Sequence, residues 1–141
     1  MTASRHTMFR PPAESDSVPI RVADGCPHNS CAFCAMYRNV PYREYDAQTL
    51  TRAIAAAAAA RPDARRVFLA DGDVLALPPM TLTRILDQLR AAFPRLSRVN
   101  SYASGQSLAA RSDEELATLR TSGMHTLYMG LESGSEEVLR L

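Results

Sequence analysis

Apolar residues fall along the chain in short blocks that alternate between continuous runs and a helical repeat. Val18 to Val22, Val67 to Ala70, Val99 to Tyr102 and Thr126 to Leu131 are compact runs rich in β-branched, aromatic or aliphatic residues, the mark of strands. Val67-Phe68-Leu69-Ala70 is apolar throughout, as strands buried on both faces are. Pro19 cannot donate a ladder bond, which puts it at a strand start or an edge. Between the runs the period changes. Leu82, Ile85, Leu86 and Leu89 mark one face of a helix that begins near Pro79 or Met80 and stops before Pro94. Asp46 predicts a cap for a helix over Ala47 to Ala60, which ends at Arg61-Pro62. Its many alanines let it lie close against a sheet, as a packed crossover. Ser112-Asp113-Glu114-Glu115 predicts a capping box opening a helix through Arg120, stopped by Gly123. Ser104-Gly105 reads as a turn, residues 37–43 as an irregular connector, and a last helix starts at Glu136-Glu137-Val138-Leu139.

Strands near residues 18, 67, 99 and 126 separated by helices predict an α/β fold, a parallel sheet of repeated βα units. In such sheets ligands sit beyond the carboxyl ends of the strands. Residues 1–17 are polar and proline-bearing without a period, so we expect a mobile arm followed by one domain over 18–141.

Composition narrows the function. With 141 residues, 46% hydrophobic and 22% charged, the chain is of single-domain size and buries a real core. Its net charge of +1 and the lack of a basic run give no nucleic-acid signal. All its non-histidine cations are arginine, which excludes Schiff-base catalysis by lysine. No stretch approaches the roughly 20 apolar residues of a membrane span, and residues 1–17 lack the apolar core of a signal peptide. The expected location is the cytoplasm, where an odd cysteine count points to metal or catalysis rather than disulfides.

All three cysteines, Cys26, Cys31 and Cys34, stand in the stretch Asp24 to Tyr37 with the spacing C-x4-C-x2-C. Thiolates grouped on one loop favour zinc, copper(I) or iron–sulfur centres. Iron–sulfur clusters usually take four cysteines, so three would leave one iron open, as reactive rather than structural sites do. The alternative is a noncatalytic binding module stabilised by zinc, with His28 completing a Cys3His set. Asp71, Asp73 and Glu132 also end strands, and together they form a second candidate set, for a hard divalent ion.

The cysteine loop, with Phe33 just before the third cysteine and a strand leading in, resembles that of the radical S-adenosylmethionine (radical SAM) enzymes. Pro27 and Asn29 can absorb the one residue by which its first interval exceeds the family's commonest spacing. The resemblance implies a [4Fe-4S] cluster on Cys26, Cys31 and Cys34, with S-adenosylmethionine on the open iron. It also implies an electron donor such as flavodoxin or ferredoxin, and a substrate that gives up a hydrogen atom to a 5'-deoxyadenosyl radical. By the same resemblance Phe33 lies near the adenine. Asp71-Gly72-Asp73 takes the place of the motif that receives the methionine amino group, where a carboxylate accepts charge-assisted bonds. Glu132 and Ser133, in Gly-Leu-Glu-Ser-Gly, meet the ribose hydroxyls. Asn100, Ser101 and Tyr102, by their place at the third strand's end, are expected to line the substrate or cofactor cavity. For each, an ordinary structural role remains open: loop packing for Phe33, a βα turn for Asp71 to Asp73, and a helix cap for Ser133 or Ser135. The family's core is a TIM-like partial barrel of about six βα units. This chain is then expected to hold the N-terminal part of it, truncated after about four strands.

Overall fold

The computed structural model describes residues 7–140. In chain order it contains β1 (Val18–Arg21), β2 (Ala23–Asp24), β3 (Arg43–Glu44), α1 (Ala47–Ala60), β4 (Arg66–Ala70), α2 (Pro79–Ala92), β5 (Arg98–Ala103), α3 (Gly105–Ala109), α4 (Asp113–Thr121), β6 (Met124–Met129) and α5 (Glu136–Leu139). Strands β1, β4, β5 and β6 form one sheet in that order, and each neighbouring pair is parallel. Each successive βα unit thus adds on the same side of its predecessor. Because parallel crossovers are right-handed, an unreversed order lays every helix on one face. That is the winding of a βα barrel, here a partial one, and differs from doubly wound sheets, whose order reverses.

The elements follow from local chemistry. The Asp46 carboxylate accepts the Thr49 amide at 2.7 Å and starts α1, which seats Leu50 and Ile54 in the core, one turn apart. Helix α2 starts at Pro79 and buries Leu82, Ile85, Leu86 and Leu89. Each such side chain contributes about 1.5–3 kcal/mol on leaving water. Ser112 and Glu115 cap α4 reciprocally. Register and pleat put Val18, Ile20, Val67, Leu69, Val99 and Ser101 on the helix-covered face. The opposite face carries Arg21, Phe68, Asn100, Tyr102 and Tyr128, with the Phe68 and Tyr102 rings edge to face at 5.2 Å.

Two expectations shift. The fourth strand runs over Met124–Met129 rather than Thr126 to Leu131, because Gly123, at φ 110°, turns the chain out of α4 straight into the sheet. Ser104 caps a short helix, α3, instead of making a simple turn. Residues 1–6 of the expected arm, and Leu141, lie outside the described residues.

Nearer the sheet, Pro12–Glu14 form a 3-10 turn whose Glu14 is 2% exposed. The Glu14 carboxylate accepts hydrogen bonds from Asn100 Nδ2 at 2.7 Å, from Tyr128 Oη at 2.7 Å and from Ser17 Oγ, and so fastens this segment to β5 and β6. Burial pushes its pKa up. The three donors and the Arg66 charge outweigh burial and hold it below the ordinary 4.5. A depressed carboxyl stabilises the fold fully above its ordinary pKa and loses that contribution as pH falls through the folded value. The thermal midpoint should therefore drop between neutral pH and about pH 3 by more in the wild type than in Glu14→Gln. Parallel pH profiles of the two proteins would refute the role given to this carboxylate.

Candidate functional site

The long excursion between β2 and β3 carries every cysteine, and its two ends are tied together. Ala23 pairs with Glu44 and Asp24 with Arg43 in an antiparallel ladder. The Asp24 carboxylate accepts Arg43 Nη2 at 2.8 Å and the Tyr45 hydroxyl at 2.7 Å. Burial raises the Asp24 pKa, but those two donors and the Arg43 charge bring it below its ordinary value, while burial and Asp24 push the Tyr45 hydroxyl up to about 12. The clip is joined to the sheet through the Val22 amide, which donates to Ala70 O at 2.6 Å. Gly25 leaves the ladder at φ 73°, where a Cβ would stand 2.8 Å from Val40 O. Asn29 takes φ 40°, the left-handed turn its side chain tolerates, and its Nδ2 donates to Tyr37 O at 3.0 Å.

Because all strands of the main sheet are parallel, this loop shares one mouth with the loops after β4, β5 and β6. The contact between the first two is tight. At Gly72, φ 49°, a Cβ would lie 2.5 Å from Gly25 O and 2.7 Å from Cys26 Cα, so a glycine is what lets the cysteine loop sit down on the loop after β4. The Gly72 amide donates to the Tyr37 hydroxyl at 2.9 Å, a second tie across the same seam. Cys26, Cys31 and Cys34 are free thiols, each half-buried. Burial pushes the Cys31 thiol up, and the negative charges of Cys34, Cys26 and Glu132 push it further. Asn29, Ser30, Cys31, Ala32, Cys34 and Arg38 line a hollow of about 240 Å³. Phe33 is 65% exposed on the same loop.

The other candidates divide. Asp71 is 2% exposed and forms an ion pair with Arg21 Nε at 2.5 Å, so it belongs to the end of the sheet rather than to the open mouth. Asp73 is half-buried, and its Oδ1 accepts the Ser107 hydroxyl at 2.9 Å. Glu132 is exposed at φ 62°, just past β6. Ser133 Oγ accepts the Ser135 amide at 3.0 Å, while Ser135 caps α5, so Ser133 and Ser135 both take part in the helix-start reading. Of the three residues expected at the end of β5, Ser101 is corrected: it is fully buried on the helix-covered face, its Oγ 4.0 Å from Met124 Sδ, because the pleat turns Asn100 and Tyr102, not Ser101, to the opposite face. The carboxylates Asp71, Asp73 and Glu132 are not gathered, and His28 meets Ser30 Oγ at 3.1 Å. Among the described residues no three His, Cys, Asp or Glu side chains already converge on one metal position.

The donor set still suits a thiophilic centre. Three free, half-buried thiols stand on one loop whose base is fixed and whose glycine neighbour admits it to the mouth, and thiolates are the donors such a centre takes. Sequence reasoning missed Arg21 and Ser107. Only Ser107 had a legible signal, the Ser104-x-x-Ser107 spacing of a cap. A family model, the Radical SAM superfamily, matches residues 20–141. No curated protein and no solved structure matches the chain.

Proposed function

Because the chain belongs to the radical SAM superfamily, whose model spans residues 20–141, we propose that it forms the N-terminal part of a radical-generating catalytic core. In this reading Cys26, Cys31 and Cys34, as thiolates, hold three irons of a [4Fe-4S] cluster and leave the fourth open for S-adenosylmethionine. When bound and reduced by a donor such as flavodoxin or ferredoxin, the cluster would supply the one electron that splits the sulfonium carbon–sulfur bond into methionine and a 5'-deoxyadenosyl radical, which would take a hydrogen atom from the substrate to give 5'-deoxyadenosine.

The chain's own residues bind and orient. Asp73 accepts the methionine ammonium, since a carboxylate and an ammonium make a charge-assisted bond. Gly72 brings backbone close to the ligand, Glu132 accepts from vicinal ribose hydroxyls, and the exposed Phe33 ring offers a face to the adenine. The observation that carries the reading is the seam at Gly72, where the cysteine loop rests without room for a Cβ on the loop that bears Asp73. That contact sets Cys26 against the loop that bears Asp73, which supports the reading.

The test is metal content. Chain reconstituted anaerobically with iron and sulfide is expected to turn brown and to retain about four irons and four sulfides. A colourless protein that takes up zinc and no sulfide would instead favour the zinc-stabilised module. Among the described residues no helix is long and apolar enough to cross a membrane.

A further inference from the structure

We infer that Ser107 is the positioning residue of the ammonium site, an inference that rests on the assignment of Asp73 above. The Ser107 hydroxyl is 9% exposed and stands where two acceptors compete for its single proton, Asp73 Oδ1 at 2.9 Å and Ser104 O at 3.0 Å, while the Ser104 hydroxyl donates to its oxygen at 3.2 Å. The carboxylate wins, because a hydrogen bond to an ionised acceptor is about twice as strong as one to a neutral acceptor. The backbone amide of Ser104 donates into the same hydroxyl oxygen at 3.1 Å, which polarises the O–H toward Asp73. One carboxylate oxygen is thus fixed from α3, the short helix that follows β5, and the rotation of the other is fixed with it.

The surrounding chain keeps the two partners in register. Arg111 donates through Nη2 to Leu75 O at 2.6 Å and to Leu77 O at 2.5 Å, which ties the far end of Asp73's loop to the segment just after α3. A carboxylate held before the ligand arrives loses little rotamer freedom on binding, and the affinity gained is that saving.

The experiment uses the full chain reconstituted with its cluster. Binding of S-adenosylmethionine is measured by equilibrium dialysis, alongside iron content and thermal midpoint. Ser107→Ala is expected to bind about tenfold more weakly with unchanged iron, and Ser107→Thr, which keeps a hydroxyl, to bind nearly as wild type. Ser104→Ala removes the side chain that caps α3 and controls for loss of the helix start: its midpoint should fall like that of Ser107→Ala while its affinity holds. In an Asp73→Asn background, Ser107→Ala should cost nothing further. If Ser107→Ala binds as wild type does, or if the Asp73 and Ser107 losses simply add, the positioning role is overturned and the cofactor site stands. If the wild type holds a cluster yet does not bind S-adenosylmethionine, the assignment of Asp73 falls, and this inference with it.

Discussion

Cys34→Ala, reconstituted anaerobically, should lose its iron and its brown colour almost completely. Cys34 is half-buried on the loop, and its amide closes a turn on Cys31 O at 3.2 Å. In the proposed core, removing it leaves two thiols where three would share a cluster that already has one iron without a protein ligand. The thiolate is lost without disturbing packing, since Cys34 is not among the buried core residues. The unloaded variant should therefore unfold within about 0.5 kcal/mol of wild type. A companion variant separates the two metal hypotheses. His28 lies exposed against Ser30, so His28→Ala should keep the full iron load, whereas a Cys3His zinc site would lose its metal with the imidazole. Retention of the cluster by Cys34→Ala would sink the ligand assignment.

Gly72→Ala is expected to strike stability and site together. An alanine at φ 49° carries a left-handed backbone penalty of about 1–2 kcal/mol. Its Cβ would also press to 2.5 Å from Gly25 O and 2.7 Å from Cys26 Cα, and these are backbone atoms that cannot swing aside. Overpacking of this kind costs about 1–3 kcal/mol more. The total, about 2–5 kcal/mol, should appear as a fall in chemical-denaturation midpoint. Relief can come only by lifting the cysteine loop from the mouth, so iron retention in Gly72→Ala should fall even in chain that remains folded. Unchanged stability and iron content would mean that the seam is not closed in solution as described.

Much of the scaffold was legible because its signals are local. Asp46, Ser112 and the four aliphatic residues of α2 state their helices within a few residues of sequence, and the apolar run at β4 states a buried strand. The strand ends then locate the mouth, and three cysteines on one loop name its chemistry. What stayed hidden depends on partners far along the chain. Ala23-Asp24 and Arg43-Glu44 are too short to announce strands, and each is a strand only because the other is there. Glu14 looks like any arm residue until Asn100 and Tyr128 meet it from two strands. Asp71 and Asp73 are nearly identical in sequence terms. Only the fold sends the first to Arg21 and leaves the second half-open beside Ser107. Ser101 was misplaced for a related reason: at a strand end, a shift of one residue exchanges cavity for core.

The ladder of Ala23-Asp24 with Arg43-Glu44 also makes the cysteine-bearing segment a cassette with a fixed span. With both feet pinned, the free energy of holding them together grows only with the logarithm of the intervening length, about 0.6 kcal/mol for each doubling. One additional residue between Cys26 and Cys31 then costs less than about 0.1 kcal/mol. Insertions in this stretch should be nearly silent in folding, which leaves cysteine spacing free to drift while the barrel beneath keeps its register.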